Sequence, residues 1–194
     1  MQPVRVGVAS GVESRVAFNR RFVMRDGTSM NSRQMGLGGH PPSDMAYREG
    51  PIDPELGVVS FTTESLRPVA LLLHYTCNAV HDYPLRCITA DWPGAWSSRI
   101  RAMYGDDCVA LVINGCNANI NHDDPLNPTH VDTTERMGAT LAEATLPVLK
   151  QLDLRRLESR SGQTDPYEPQ LGLRDPGLQD RGFRAGRAGW NRRC

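Results

Sequence analysis

Val69-Ala70-Leu71-Leu72-Leu73-His74-Tyr75 and, further on, Val109-Ala110-Leu111-Val112-Ile113 are the two runs on which the fold turns. Each is near-continuously aliphatic, too short for a buried helix and lacking the alternation of a strand with one wet face. A helix signal lies between them. Pro93 suits the first helical position, where its missing N–H would have no partner. Trp96, Ile100 and Met103 share one face through about Tyr104, and Gly105 stops the helix. Strand, helix, strand is the signature of an α/β fold. Upstream, Gly57-Val58-Val59-Ser60-Phe61-Thr62-Thr63 reads as another strand. Glu64-Ser65-Leu66-Arg67-Pro68 is short enough to join it to the Val69 run as a hairpin. Val4 to Ala9 alternates like a strand.

Downstream, Asp132-Thr133-Thr134-Glu135 opens a second helix as a capping box, the acid accepting from the Glu135 amide while Glu135 reaches back. Met137, Leu141 and Thr145/Leu146 mark its buried stripe. Pro147 should end or kink it. The expected architecture is α/β, a mixed sheet with buried central strands covered on both sides by flanking helices, with long irregular loops and a disordered C-terminal tail.

Gly11 to Arg25 is polar and basic, and residues 26–55 carry Gly and Pro at intervals that oppose regular structure. A loop of that length is functional or is ordered by a neighbour. Residues 1–152 make the expected domain. Residues 153–194 form an Arg/Gly-rich tail whose composition cannot offset its ordering entropy; residues 154–194 hold nine Arg against five acids. Such an abrupt change also fits a non-native reading frame.

The 194 residues suit one domain of ordinary size. Basic and acidic side chains number 22 each, and zero net charge opposes a nucleic-acid binder driven by bulk electrostatics. No apolar run approaches the roughly 18 residues of a membrane span. The N-terminal residues lack a secretory pattern, so the default compartment is the cytoplasm. Cys77, Cys87, Cys108, Cys116 and Cys194 form no C-x-x-C pair and read as reduced, mostly packing residues.

Polar residues concentrate after the buried strands, where α/β proteins place their sites. The segments are His74 to His81, Ile88 to Gly94 and Asn114 to Asp124. His74 reads as a hydrogen-bonded core residue. Trp92 and Trp96 read as core, and His122-Asp123-Asp124 reads equally as a solvated turn or a site. The Asn117/Asn119/Asn121 set is the favoured functional feature.

Thr76-Cys77-Asn78-Ala79-Val80, then Ile88-Thr89-Ala90-Asp91-Trp92-Pro93-Gly94-Ala95-Trp96, then Val112-Ile113-Asn114-Gly115-Cys116 and Asn119-Ile120-Asn121 resemble the catalytic domain of neutral/alkaline non-lysosomal ceramidases and their uncharacterised bacterial relatives. Phe18-Asn19-Arg20-Arg21 and the segment from Gly50 to Val58 fit the same pattern, which covers roughly residues 4–152. The resemblance implies a zinc-dependent hydrolase of an N-acyl amide bond, acting on a lipid amide or another small molecule. By position, the family's zinc histidine falls on Asn78, with His81 three residues on as a substitute, so Asn78 and His81 are the metal candidates. The family's serine nucleophile falls on Asn121. The candidate catalytic residues are Asp91, Asn119 and Asn121, and the candidate substrate-binding residues are Asn117 and His122.

The resemblance also implies a His in a Thr-His-Thr-His segment and Glu and Tyr ligands, none of which has a counterpart in this sequence. Catalytic zinc takes three protein ligands plus water, so the chain is expected not to hold zinc tightly or to turn over substrate alone. Asp26-Gly27-Thr28-Ser29-Met30-Asn31 echoes a ceramidase segment with Asp for His, and is read as chance. Two alternatives stand beside the hydrolase: a degenerate fragment that keeps only the scaffold, and an interaction module whose exposed edge strands recruit a partner or form a homo-oligomer.

Overall fold

A computed structural model describes residues 3–31, 42–83, 85–127, 129–130 and 132–156. The expected disorder of the tail concerns residues that, from 157 on, lie outside this set.

Among the described residues, five strands form a sheet in the order β10-β1-β6-β7-β8. They are β1 (Arg5–Val12), β6 (Glu55–Thr62), β7 (Pro68–Tyr75), β8 (Val109–Asn114) and β10 (Arg155–Arg156). β6 and β7 are the expected hairpin, closed by Thr63 N–H to the Arg67 carbonyl at 2.9 Å. β7 and β8 are parallel, in register from Ala70↔Val109 to Tyr75↔Asn114. A parallel pair needs a crossover, and α1 (Asp91–Tyr104) supplies it; α2 (Thr134–Leu149) packs beside α1. The mixed α/β architecture is as the sequence indicates. β10 is a correction, because the chain expected to be a structureless tail from residue 153 pairs Arg155 and Arg156 with β1.

The core lies between the sheet and the two helices. Leu56 and Val58 of β6, Leu71, Leu73 and Tyr75 of β7, Trp92, Trp96 and Ile100 of α1, and Met137 and Leu141 of α2 are all fully or almost fully buried. The expectation of a sheet covered on both sides is corrected. α1 packs on β8 and α2 on β1 and β6, so among the described residues no helix covers the opposite face, where Val8, Val109 and Leu111 are 67%, 53% and 54% exposed. For the same reason β8 is not a doubly buried strand.

Smaller corrections have local causes. α1 begins at Asp91, so Pro93 sits inside the first turn, still needing no donor partner. Trp92 replaces Met103 on the buried stripe, Met103 lying near the solvent-facing end of the helix. The cap of α2 is Thr133, whose Oγ1 accepts from Arg136 N–H at 3.1 Å, while the Asp132 carboxylate points elsewhere. Pro147 leaves α2 running on to Leu149.

The 26–55 region is not irregular throughout, and the polar stretch before it carries a strand. β3 (Arg21–Met24), β4 (Ser29–Asn31) and β5 (Met45–Arg48) form a second sheet over a small core of Phe22, Met24 and Met45. The Asp26-Gly27-Thr28 echo is its turn: Gly27 takes φ +85°, and the Asp26 carboxylate accepts from Thr28 N–H at 2.9 Å. β2 (Phe18–Asn19) pairs with β9 (Ile120–Asn121) in a third, two-stranded sheet.

Gly138 marks the closest approach of the helices. A Cβ there would lie 2.5 Å from Ala95 Cβ and 2.7 Å from the Trp96 backbone nitrogen. Gly138→Ala is expected to destabilise by about 1–3 kcal/mol through forced separation, outweighing the roughly 1 kcal/mol of helix propensity it gains. Thermal unfolding of the variant checks this.

Candidate functional site

The parallel pair β7 and β8 ends at Tyr75 and Asn114, and the two polar segments leave the sheet there together. They are fastened to each other. The Asn114 side chain accepts from Cys77 N–H at 3.3 Å and donates to the Cys77 carbonyl at 2.8 Å. Asn78 donates through Nδ2 to the Asn117 carbonyl at 2.9 Å, and through its backbone N–H to the Ile120 carbonyl at 3.3 Å. Gly115 fits this junction because a Cβ would fall 2.1 Å from Thr76 Oγ1. On the far side, the Arg48 guanidinium ion-pairs with Asp124 and lies over the Phe18 and Phe22 rings at 5.2 and 5.4 Å, tying the small sheet to the same loop.

His81 is the centre of the cluster. Its Nδ1 is 3.0 Å from Asp91 Oδ1 and its Nε2 is 3.1 Å from Asp132 Oδ2. All three side chains are no more than 5% exposed. The His122 ring stacks on His81, centroids 3.6 Å apart and planes 18° from parallel. Asp91 also accepts from the N–H groups of Trp92 (2.7 Å) and Asp82 (3.2 Å). Asp132 also ion-pairs with Arg136 at 3.0 Å. Burial by itself would lower the His81 pKa, but the hydrogen bonds to Asp132 and Asp91 reverse this and carry it to about 9. Burial pushes the Asp91 and Asp132 carboxyls up, and His81 with the neighbouring donors brings both below the ordinary carboxylate value. At neutral pH the group is therefore an imidazolium between two carboxylates. Asp91, a non-glycine residue at φ +50°, is held in this position by contacts on both its oxygens.

This arrangement does not fit zinc. A zinc-binding imidazole offers one bare nitrogen to the ion and uses the other for orientation, whereas both His81 nitrogens are held by carboxylates. A cation at His81 would have to displace one of them. Asn78 turns its amide nitrogen to a carbonyl, and among the described residues no group of three His, Cys, Asp or Glu side chains is placed to hold a metal. Cys77 is buried, and burial together with the charges of Asp132, Asp91 and Asp123 pushes its thiol well above the usual range. It is a packing residue and not a thiolate.

Of the sequence-predicted residues, Asp91, His81 and His122 come together. Asn121 is fully buried on β9 and donates to Asp123 at 2.7 Å. Its Oδ1 and the Nδ1 of His122 are buried without a hydrogen-bond partner among the described residues. His122 Nε2 pairs with Asp123 at 2.9 Å. Asn117 and Asn119 are half-buried, and their backbone carbonyls receive Asn78 Nδ2 and Arg20 N–H. Sequence reasoning missed Asp132, taken for a helix cap; Asn114 heads the third polar segment but was not singled out within it. An open cleft of about 720 Å³ runs along α1 from Asp91 to Arg101 and meets the start of α2, lined by Thr89, Asp91, Ser98, Arg99, Thr134 and Glu135 among others. Asp91 joins this cleft to the His81 cluster.

The comparisons with known proteins bear on the scaffold. A neutral ceramidase from Pseudomonas aeruginosa superimposes with a TM-score of 0.54 at 20% identity, over 77% of this chain and 23% of that one. A ceramidase complexed with C2 matches equally, at TM-score 0.54 and 19% identity, with the same coverage. The fold is ceramidase-like. The chain spans about a quarter of the length of these ceramidases. No protein-family model matches the sequence, and no curated protein matches it. No helix among the described residues is long and apolar enough to cross a membrane.

Proposed function

We propose that this chain carries the amide-binding end of a ceramidase-like hydrolase domain, for a lipid amide or a related small N-acyl substrate, without completing a zinc centre of its own. The likeness in fold supports the substrate class, together with the convergence of the motif segments after β7 and β8. The observation that carries the second half of the proposal is the capture of both His81 nitrogens by Asp91 and Asp132. With those nitrogens engaged and its pKa raised, His81 is neither a ligand nor a general base near neutral pH. Asp91 then acts through His81 as a positioning residue. Asn117 and Asn119 orient the substrate with their carboxamides.

A short-chain fluorescent N-acyl lipid amide tests this. The chain should bind it without cleaving it, with or without added zinc. Asn117→Ala combined with Asn119→Ala should weaken binding by about tenfold, as expected for one or two lost hydrogen bonds. Absence of binding would overturn the substrate class, and zinc-dependent turnover lost in His81→Ala would overturn the incomplete centre. The open sheet face favours a second role, in assembly.

A further inference from the structure

We infer that the uncovered face of the five-stranded sheet is a self-association surface that seats the same face of a second copy of this chain. Strand register defines the face. Val6, Val8 and Ser10 lie opposite Phe61, Val59 and Gly57, which lie opposite Ala70, Leu72 and His74, and these in turn opposite Val109, Leu111 and Ile113. Val12 and Glu55 close one end. Val8, Val12, Val109, Leu111 and Ile113 are 67%, 75%, 53%, 54% and 51% exposed. From Val6 across to Ile113 no position carries an Asp, Glu, Lys or Arg. An antiparallel sheet meant to face water alternates apolar with polar residues, and this one is apolar on both faces.

Area and charge decide the occupant. Four strands at roughly 4.8 Å spacing and about seven residues of roughly 3.3 Å each give a face on the order of 450 Å² in projection. The relief of the side chains raises its accessible area toward the roughly 800 Å² per partner that specific interfaces bury. Among the described strand residues the charges on this face stand at its rim, Glu55 opposite Val12 and Arg155 opposite Val6, so its apolar centre offers a charged partner no complement. Two copies with zero net charge do not repel, and an apolar sheet face can meet its own copy across a two-fold axis. Face-to-face packing at about 10 Å makes a closed sandwich, with one helical layer on each outer side. This surface differs from the sheet edges: Val8 is on β1, which has strands on both sides, and Leu111, on the edge strand β8, shares the face register of Leu72, so both substitutions alter the face and leave the backbone groups of the edge unchanged.

Sedimentation of the full chain at about 50 µM, above a micromolar dissociation constant, tests the inference. The expected species is a dimer of twice 21.5 kDa. Val8→Glu with Leu111→Glu should raise the dissociation constant at least about 100-fold, since each copy would bury unpaired carboxylates. Val8→Thr keeps a strand-compatible β-branched side chain and should weaken the dimer without disturbing the fold, read by circular dichroism. A wild-type monomer at that concentration would overturn the inference, as would a dimer that persists in folded variants, or open-ended oligomers built through strand edges.

Discussion

Replacing His81 with leucine should cost about 3–5 kcal/mol of folding stability, because it leaves Asp91 and Asp132 buried side by side without the charge that joins them. For a domain of this size, that corresponds to a fall in melting temperature on the order of 10 °C. Urea denaturation with an unchanged slope is the measurement, and a loss under about 1 kcal/mol would mean the cluster is solvated in solution. The pH dependence has a defined sign. The His81 pKa rises from 6.5 to about 9 on folding, so its stabilisation is complete below about pH 6.5 and is lost as pH climbs through 9. The Asp91 and Asp132 pKa values are lowered, so their stabilisation is present above about pH 4 and disappears as the medium is acidified below that. Wild-type stability should therefore peak between these limits. In His81→Leu the alkaline decline from this residue should vanish.

The second large effect is expected at Trp96. Its indole is fully buried between α1 and α2, and its Nε1–H donates to Thr145 Oγ1 at 3.2 Å. Thr145 in turn donates to the Leu141 carbonyl at 2.7 Å. Trp96→Ala should cost about 3–5 kcal/mol, the apolar transfer plus a cavity that the closely spaced helices cannot collapse to fill. Thr145→Val keeps the volume and removes the acceptor, so it should cost about 1–3 kcal/mol through an unpaired indole N–H. Equilibrium unfolding of both variants separates packing from hydrogen bonding. Equal losses would show that the indole N–H, rather than the ring's volume, dominates.

The elements readable in the sequence were those whose own side chains state their environment. β6, β7 and α1 announce themselves by aliphatic runs, a turn and a helix stop, and they form as expected. The small β4-β3-β5 sheet was hidden because its strands are three or four residues long and lie among Gly and Pro, where local signals are weakest. The open face was hidden for a different reason. Leu111 and Ile113 are as aliphatic as Leu71 and Leu73, and composition cannot say which side of a strand meets a helix.

The site divides the same way. Asp91 and His81 stand in segments that looked chemical, and they do meet. Their relationship depends on Asp132, 51 residues from His81 in the chain. Its Asp-Thr-Thr-Glu context gives a sufficient local explanation as a helix cap, so nothing pointed to a distant imidazole. Thr133 takes over the cap and frees Asp132 for that contact. Asn114 stood in a segment that looked chemical, but its role as a clasp on Cys77 exists only once β7 and β8 lie parallel.

Histidine side-chain NMR at pH 7.5, read with and without one equivalent of zinc, reports the state of both His81 nitrogens. Both His81 ring nitrogens should carry protons, the ring should titrate near 9, and zinc should leave its signals in place. A neutral His81 ring, or one whose nitrogen resonance moves on stoichiometric binding of zinc, would contradict the capture of both nitrogens by Asp91 and Asp132.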